Sequence, residues 1–145
     1  MIHRGVVRGK AIIFIPKAAS YPVGFENMVE SIRQFVATEI VRSFDHLGVR
    51  LLPQAKQPRP IIIVLASSKG ELESLLEAKA LFRNTRLILL LADADEETVA
   101  LGHRMEPRFI GYLTDGLGEV PAVVRKMAAG ESRPRGSARE RRFWA

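Results

Sequence analysis

Cysteine is absent from this chain of 145 residues, so it holds no disulfide framework and no thiol chemistry, and a reducing cytoplasm is the expected setting. Long apolar runs are missing too: no stretch approaches the roughly 18 to 20 residues needed to cross a bilayer, so no membrane association is expected. The first residues, Met-Ile-His-Arg-Gly-Val-Val-Arg, lack the apolar segment of a secretory signal. No glycine fingerprint of a dinucleotide fold follows the first apolar run, which leaves flavin or nicotinamide binding without support. The three histidines, His3, His46 and His103, lie far apart in the chain. No serine–histidine–acid set can be assembled around them. No internal repeat and no second domain are visible.

What is present is the length for one domain, able to bury roughly 70% of its unfolded surface. Hydrophobic residues make up 47% and charged residues 26%, ordinary values for a globular protein. The net charge of +6 is confined to the ends. Residues 1–10 carry Arg4, Arg8 and Lys10 without an acid, and residues 131–145 carry five arginines against Glu131 and Glu140. Between them, 14 basic residues face 14 acidic ones, so the folded body does not have the charge of a nucleic-acid-binding surface.

Short apolar runs set the architecture. Ala11 to Ile15, Ile61 to Leu65, Leu87 to Leu91 and Phe109 to Leu113 are apolar at nearly every position, the mark of strands covered on both faces, as in a parallel sheet sandwiched by helices. Phe25, Met28, Val29, Ile32, Phe35, Val36, Ile40, Phe44 and Leu47 recur at spacings of three and four, which predicts one helix of about six turns stopped by Gly48. Val49 to Leu52 is then the candidate second strand, and the three prolines between Pro53 and Pro60 exclude a helix there. Ser68 and Glu71 are spaced as a capping box for a helix burying Leu72, Leu75, Leu76 and Leu81. Asp93 and Glu96 form a second such pair, ahead of a helix from Asp95 to Met105. A last helix runs from Val120 to Ala129, with Val120, Val123, Val124 and Met127 toward the sheet, and Gly130 ends it. The expectation is a three-layer α-β-α sandwich on a mostly parallel five-stranded sheet, spanning residues 1–130 and followed by a basic, disordered tail over 131–145.

The segment 87–99, Leu-Ile-Leu-Leu-Leu-Ala-Asp-Ala-Asp-Glu-Glu-Thr-Val, and the segment 109–116, Phe-Ile-Gly-Tyr-Leu-Thr-Asp-Gly, are similar to the fourth and fifth strands, with their loops, of the receiver domain of two-component response regulators. Residues 61–82 resemble its third strand and helix more loosely. The resemblance covers about half the chain and implies a CheY-like, flavodoxin-like fold, here with the second helix missing because the prolyl segment occupies its place. Its chemistry does not carry over. Receivers place a phosphoacceptor aspartate at the end of the third strand, but no aspartate stands between Asp45 and Asp93. The magnesium-binding acids after the first strand are replaced by Ile15-Pro16-Lys17-Ala18. The hydroxyl residue ending the fourth strand matches Leu91, and the fifth-strand lysine matches Asp115, a reversal of charge. Tyr112 alone matches, at the position of the family's switching aromatic.

Phosphotransfer to aspartate needs a carboxylate nucleophile, a divalent metal and a cation on the leaving oxygens, so no catalytic residue, no metal site and no cofactor is expected. The resemblance implies a phosphorylation-independent signalling or protein-interaction module, not an enzyme, acting on an unidentified protein partner. The face receivers use for contacts corresponds to helix 95–105, strand 109–113 and helix 120–129, with Tyr112, Val99, His103, Val120 and Val124 as candidate interface residues and a homodimer as one outcome. The alternative is a small α/β enzyme or ligand-binding protein using a polar cluster at the strand ends: Ser67, Ser68, Lys69, Asp93, Asp95 and Asp115. Hard cations need such oxygen arrays, and helix starts such as Ser67–Gly70 bind phosphate. Capping is the favoured reading of Asp93 or Asp95, with Glu96 and Glu97 complementing the helix dipole. Asp115 is a candidate partner of Lys69 or Lys17. Nucleic acid is expected only through the tail, where arginines meet phosphates and Phe143 or Trp144 stack on bases; a solubilising role is favoured there.

Overall fold

The computed structural model describes residues 9–51 and 59–130. Five strands form one parallel sheet in the order β2-β1-β3-β4-β5. In chain order they are β1 (Lys10–Phe14), β2 (Ala37–Val41), β3 (Ile61–Ala66), β4 (Arg86–Leu91) and β5 (Phe109–Tyr112). The helices between and after them are α1 (Phe25–Arg33), α2 (Phe44–Arg50), α3 (Lys69–Glu77), α4 (Glu96–Arg104) and α5 (Val120–Ala128). Short 3-10 turns follow α3 over Lys79–Phe82 and β5 over Leu113–Asp115. None of the described helices is long and apolar enough to cross a membrane.

The uninterrupted apolar runs explain the layering. All six residues of β3 are buried, because its odd and even positions enter different cores. Ile61, Ile63 and Leu65 pack with Phe25, Met28, Val29 and Ile32 of α1 and with Val120, Val123, Val124 and Met127 of α5. Ile62, Val64 and Ala66 pack on the opposite face with Leu47 of α2 and with Leu72 and Leu75 of α3. Each fully buried aliphatic side chain stabilises the fold by about 1.5 to 3 kcal/mol, so the central strand dominates the energetics. Helix α4 approaches the sheet closely through Gly102, where a Cβ would come within 3.3 Å of the Leu89 and Leu91 side chains.

Three expectations are overturned between residues 25 and 52. The long helix is in fact α1, β2 and α2. Helix α1 ends at Arg33 with Gln34 as its cap, and Ala37-Thr38-Glu39-Ile40-Val41 lies beside β1, pairing Lys10 with Ala37 and Phe14 with Val41. Thr38, Ile40 and Val41 are β-branched and fit a pleated edge strand. The spacing of Phe35, Val36, Ile40 and Phe44 imitated a helix because α1, a short strand and α2 each bury residues at offsets near four. The second strand is therefore β2, and Val49 lies within α2; Leu52 is outside the described residues. The second helix is present: Ser43 accepts a hydrogen bond from the His46 amide and opens α2 upstream of the prolines. Gly48 and His46 thus sit inside α2 and not at a helix end. The tail over 131–145 lies outside the described residues.

Candidate functional site

In sheets of this order the connections diverge between β1 and β3, and the crevice at the carboxyl ends of those strands is where ligands usually sit. On one side of the crevice is the loop after β1. Arg42, the residue following β2, closes that loop: its Nε donates to the Ile15 carbonyl at 2.9 Å, and its terminal nitrogen donates to Pro16 at 3.0 Å, Ala19 at 2.8 Å and Lys17 at 3.3 Å. Its guanidinium lies 4.7 Å from the Tyr21 ring centroid, and Tyr21 stacks on Phe25 at 4.5 Å. Carbonyl oxygens able to face a cation are thereby gathered onto a fixed one. The sequence reading missed Arg42 because it placed the residue inside a helix.

The turn after β3 closes on itself as well. Ser68 caps α3, its hydroxyl accepting from the Glu71 amide at 3.1 Å. The Glu71 carboxylate reaches back one residue further than a capping box predicts, accepting from the Ser67 amide at 2.7 Å and from its hydroxyl at 2.9 Å. Lys69 pairs with Glu97 of α4 at 2.7 Å, not with Asp115. That bond, followed by smaller attractions to Glu97, Glu73 and Asp95, holds its ammonium above the ordinary lysine range.

At the end of β4, Asp95 and not Asp93 caps α4. It accepts from the Thr98 hydroxyl at 2.8 Å and from the Thr98 amide at 3.1 Å, bonds that pull its carboxyl below the ordinary value, the hydroxyl contributing most. The capping pair is thus Asp95 with Thr98, two residues beyond the predicted start. Ser67, Ser68, Asp93, Asp95 and Asp115 are all solvent-exposed and Lys69 is half-buried. Among the described residues no three His, Asp or Glu side chains meet in a way that could hold a metal ion.

The candidate interface divides. His103 is exposed, and Val99 and Tyr112 are half-buried. Val120 and Val124 are 2% and 0% exposed and belong to the core between α5 and the sheet, so they support that face from below and do not present to a partner. The first turn of α5 brings both onto the apolar stripe that packs against β3 and α1. Along β5, a groove of about 330 Å³ is lined by Tyr112, Asp115, Glu119 and Gly111. The backbone packs tightly at Gly111, where a Cβ would lie 3.0 Å from Leu90 and 3.2 Å from the Phe109 ring.

A larger concavity lies at the other edge of the sheet. Arg59, Lys79, Arg83, Thr85, Glu106 and Arg108 rim a cavity of about 510 Å³ between the 3-10 turn after α3 and the end of α4, with Phe82, Leu87 and Met105 in its lining. Lys79 and Arg83 share the 3-10 turn after α3, and the strand starts bring Arg59 and Arg108 to them, so no single local motif announces the cavity.

No family model and no curated protein sequence matches this chain. Solved structures do match. A CheY-like response regulator from Mesorhizobium loti aligns over 83% of this chain and 97% of its own, with 18% identity and a TM-score of 0.53. The fold is that of a CheY-like receiver. A putative pilus assembly-related protein from Burkholderia pseudomallei aligns over 85% of this chain and 92% of its own (14% identity, TM-score 0.55). The RcsB response regulator of Salmonella typhimurium aligns over 93% of this chain and 66% of its own (13% identity, TM-score 0.57). At these identities the likeness is one of architecture.

Proposed function

We propose that this receiver-like chain is a signalling module that works by protein contact and without aspartyl phosphate. The observation that carries the reading is the end of β3: Val64, Leu65 and Ala66 are buried and apolar, and the next residue, Ser67, is held by Glu71. No aspartate stands there to attack a phosphoryl group, and the nearby Glu71 carboxylate is taken up by the Ser67 amide and hydroxyl. Around it, Arg42 occupies the carbonyls of the β1 loop, and Asp115 replaces the cation that would meet the phosphate. A nucleophile, a metal platform and a positive charge are required together for that transfer, and the loss of one alone disables it.

The contact surface proposed is the side formed by α4, β5 and α5, where exposed His103 and half-buried Val99 and Tyr112 border the groove beside Gly111. Among the described residues β5 is the last strand in the sheet order, paired with β4. A second copy of the chain or another protein docks there in this reading. Incubation with a small phosphodonor and magnesium, followed by intact-mass measurement, is expected to leave the mass unchanged. A phosphoryl adduct on any aspartate, cleaved by hydroxylamine as an acyl phosphate is, would overturn the proposal. For the surface, Tyr112→Arg is expected to abolish self-association in sedimentation or partner capture while leaving the circular dichroism spectrum unchanged; association unaffected by the substitution removes this face from the reading.

A further inference from the structure

The groove of about 330 Å³ between β5 and the start of α5 is lined by two carboxylates, Asp115 and Glu119, and by no cation. Both are exposed, and among the described residues neither makes an ion pair or a side-chain hydrogen bond. Glu119 stands at the amino end of α5 without capping it. The helix dipole there offsets only about half a charge, so roughly one and a half negative charges still face the groove.

Leu90, Phe109 and Val120 in its floor are buried and offer little surface. What the groove presents is the half-buried Tyr112, the side-chain-free backbone of Gly111 and Gly116, and the two carboxylates. An aromatic ring or a planar guanidinium can lie against tyrosine and bare backbone, and a cation is drawn by the ring face as well as by the acids. A bare metal ion needs more converging oxygens than two carboxylates supply. The surface therefore suits a segment in which arginine and aromatic side chains stand together.

The chain carries such a segment. Residues 139–144 read Arg-Glu-Arg-Arg-Phe-Trp, a net charge of +2 with two aromatic rings. They follow the same helix whose first turn borders the groove. Helix α5 ends at Ala128, and Gly130, with a φ of 88°, turns the chain out of its axis. The groove lies one helix length back, nine residues or about 14 Å. The chain from Gly130 to Phe143 spans up to about 43 Å when extended, three times that distance. A tether this short holds the segment at an effective concentration on the order of 1 mM, so a weak contact suffices. The other acid-bearing groove, of about 610 Å³ beside α1, holds Arg33 as well as Glu26 and Glu30 and is the poorer match.

We infer that residues 139–144 dock in the groove between Tyr112, Asp115 and Glu119 of the same chain, with arginines on the carboxylates and an aromatic ring on Tyr112 and the glycine backbone. The segment thereby covers part of the face assigned above to partner contact, and a partner docking there must displace it. That consequence rests on the signalling reading; the docking itself does not.

Trp144 is the single tryptophan of the chain, so its fluorescence reports the contact in the full-length protein. Acrylamide quenching is expected to be severalfold weaker than for a synthetic peptide of residues 131–145, and independent of protein concentration. Asp115→Lys with Glu119→Lys is expected to raise quenching to the level of the peptide with the dichroism spectrum intact, whereas Glu26→Lys with Glu30→Lys leaves it unchanged. Adding Arg141→Glu and Arg142→Glu to the first pair is expected to restore protection, a recovery that loss of structure does not produce. Quenching in the parent equal to that of the peptide, release by the Glu26 and Glu30 pair instead, or protection that grows with concentration and so places a second copy in the groove would each overturn the inference. None of these outcomes bears on the phosphodonor test, so the docking and the signalling reading fail separately.

Discussion

The two edges of this sheet carry opposite charge and opposite degrees of closure. At the carboxyl edge, Asp93, Asp95, Glu96, Glu97 and Asp115 are exposed, and the loops are tied internally by the Ser67–Glu71, Asp95–Thr98 and Lys69–Glu97 contacts. At the amino edge, Arg59, Lys79, Arg83 and Arg108 surround open volume. In folds of this kind the carboxyl edge is ordinarily the ligand-binding one. Here Asp95 serves as a cap and the carbonyls of the β1 loop are taken by Arg42, while cations gather on the other side. The lesson is that fold identifies where a site usually lies, but the side chains of a given chain decide whether that place stays open.

The sharpest way to break this comparison is to loosen the carboxyl edge with Arg42→Ala. It leaves the carbonyls of Ile15, Pro16, Lys17 and Ala19 without their shared donor and is expected to cost about 2 kcal/mol in urea unfolding. Arg42→Lys is expected to recover little of this, since an ammonium lacks the planar fork and the stacking on Tyr21.

How much of either edge can be read from sequence depends on how local its determinants are. β3 and β4 were legible because burial on both faces demands an apolar residue at nearly every position. Ser68 was legible as a cap because its partner Glu71 is three residues away. β2 was not. As an edge strand it is only half-buried along most of its length, so Ala37-Thr38-Glu39-Ile40-Val41 lacks the continuous run of a central strand, and its Ile40 continued the periodicity of α1. Arg42 became meaningful only once β2 existed to carry it beside the β1 loop. The carboxyl-edge acids were visible as a group because two short loops contain them all. Of the amino-edge cations, Lys79 and Arg83 share one 3-10 turn, but Arg59 and Arg108 reach the same cleft only through the parallel pairing of β3, β4 and β5.

Glu106 offers a smaller effect that sharpens the amino edge. Its φ of 58° makes it the one residue other than glycine with positive φ among those described, at the turn where its amide bonds to the His103 carbonyl after α4. Left-handed backbone costs a side-chain-bearing residue about 1 to 2 kcal/mol, and glycine adopts it without that penalty. Glu106→Gly is therefore expected to stabilise the fold by about 0.5 to 1 kcal/mol, after the loss of the exposed Lys79 bridge and the greater freedom of glycine when unfolded. A loss of stability in urea unfolding would mean that the Lys79–Glu106 pair outweighs the strain.

The smallest effect separates the two readings of the carboxyl edge through pH. The folded Asp95 carboxyl titrates below its ordinary value of 3.8, chiefly because it accepts from the Thr98 hydroxyl. A depressed carboxyl pKa contributes stability that is fully present above the unfolded value and is lost as pH falls through the folded one. Asp95→Asn keeps an oxygen able to accept from the Thr98 amide but carries no charge, so its melting temperature is expected to fall slightly below the parent's at neutral pH. The two are expected to converge only as pH falls through the parent carboxyl's depressed pKa, below its ordinary value of 3.8. Lys69 works in the opposite sense: its pKa is raised by Glu97, so its contribution is present below about 10.5 and declines as pH rises beyond it. If Asp95 is a cap, thermal scans across pH detect the substitution whether or not magnesium is added. If it is a metal ligand, millimolar magnesium raises the parent's melting temperature, and Asp95→Asn abolishes that rise. The arrangement around Thr98 favours the cap, because both of its donors converge on the carboxylate that a metal would need.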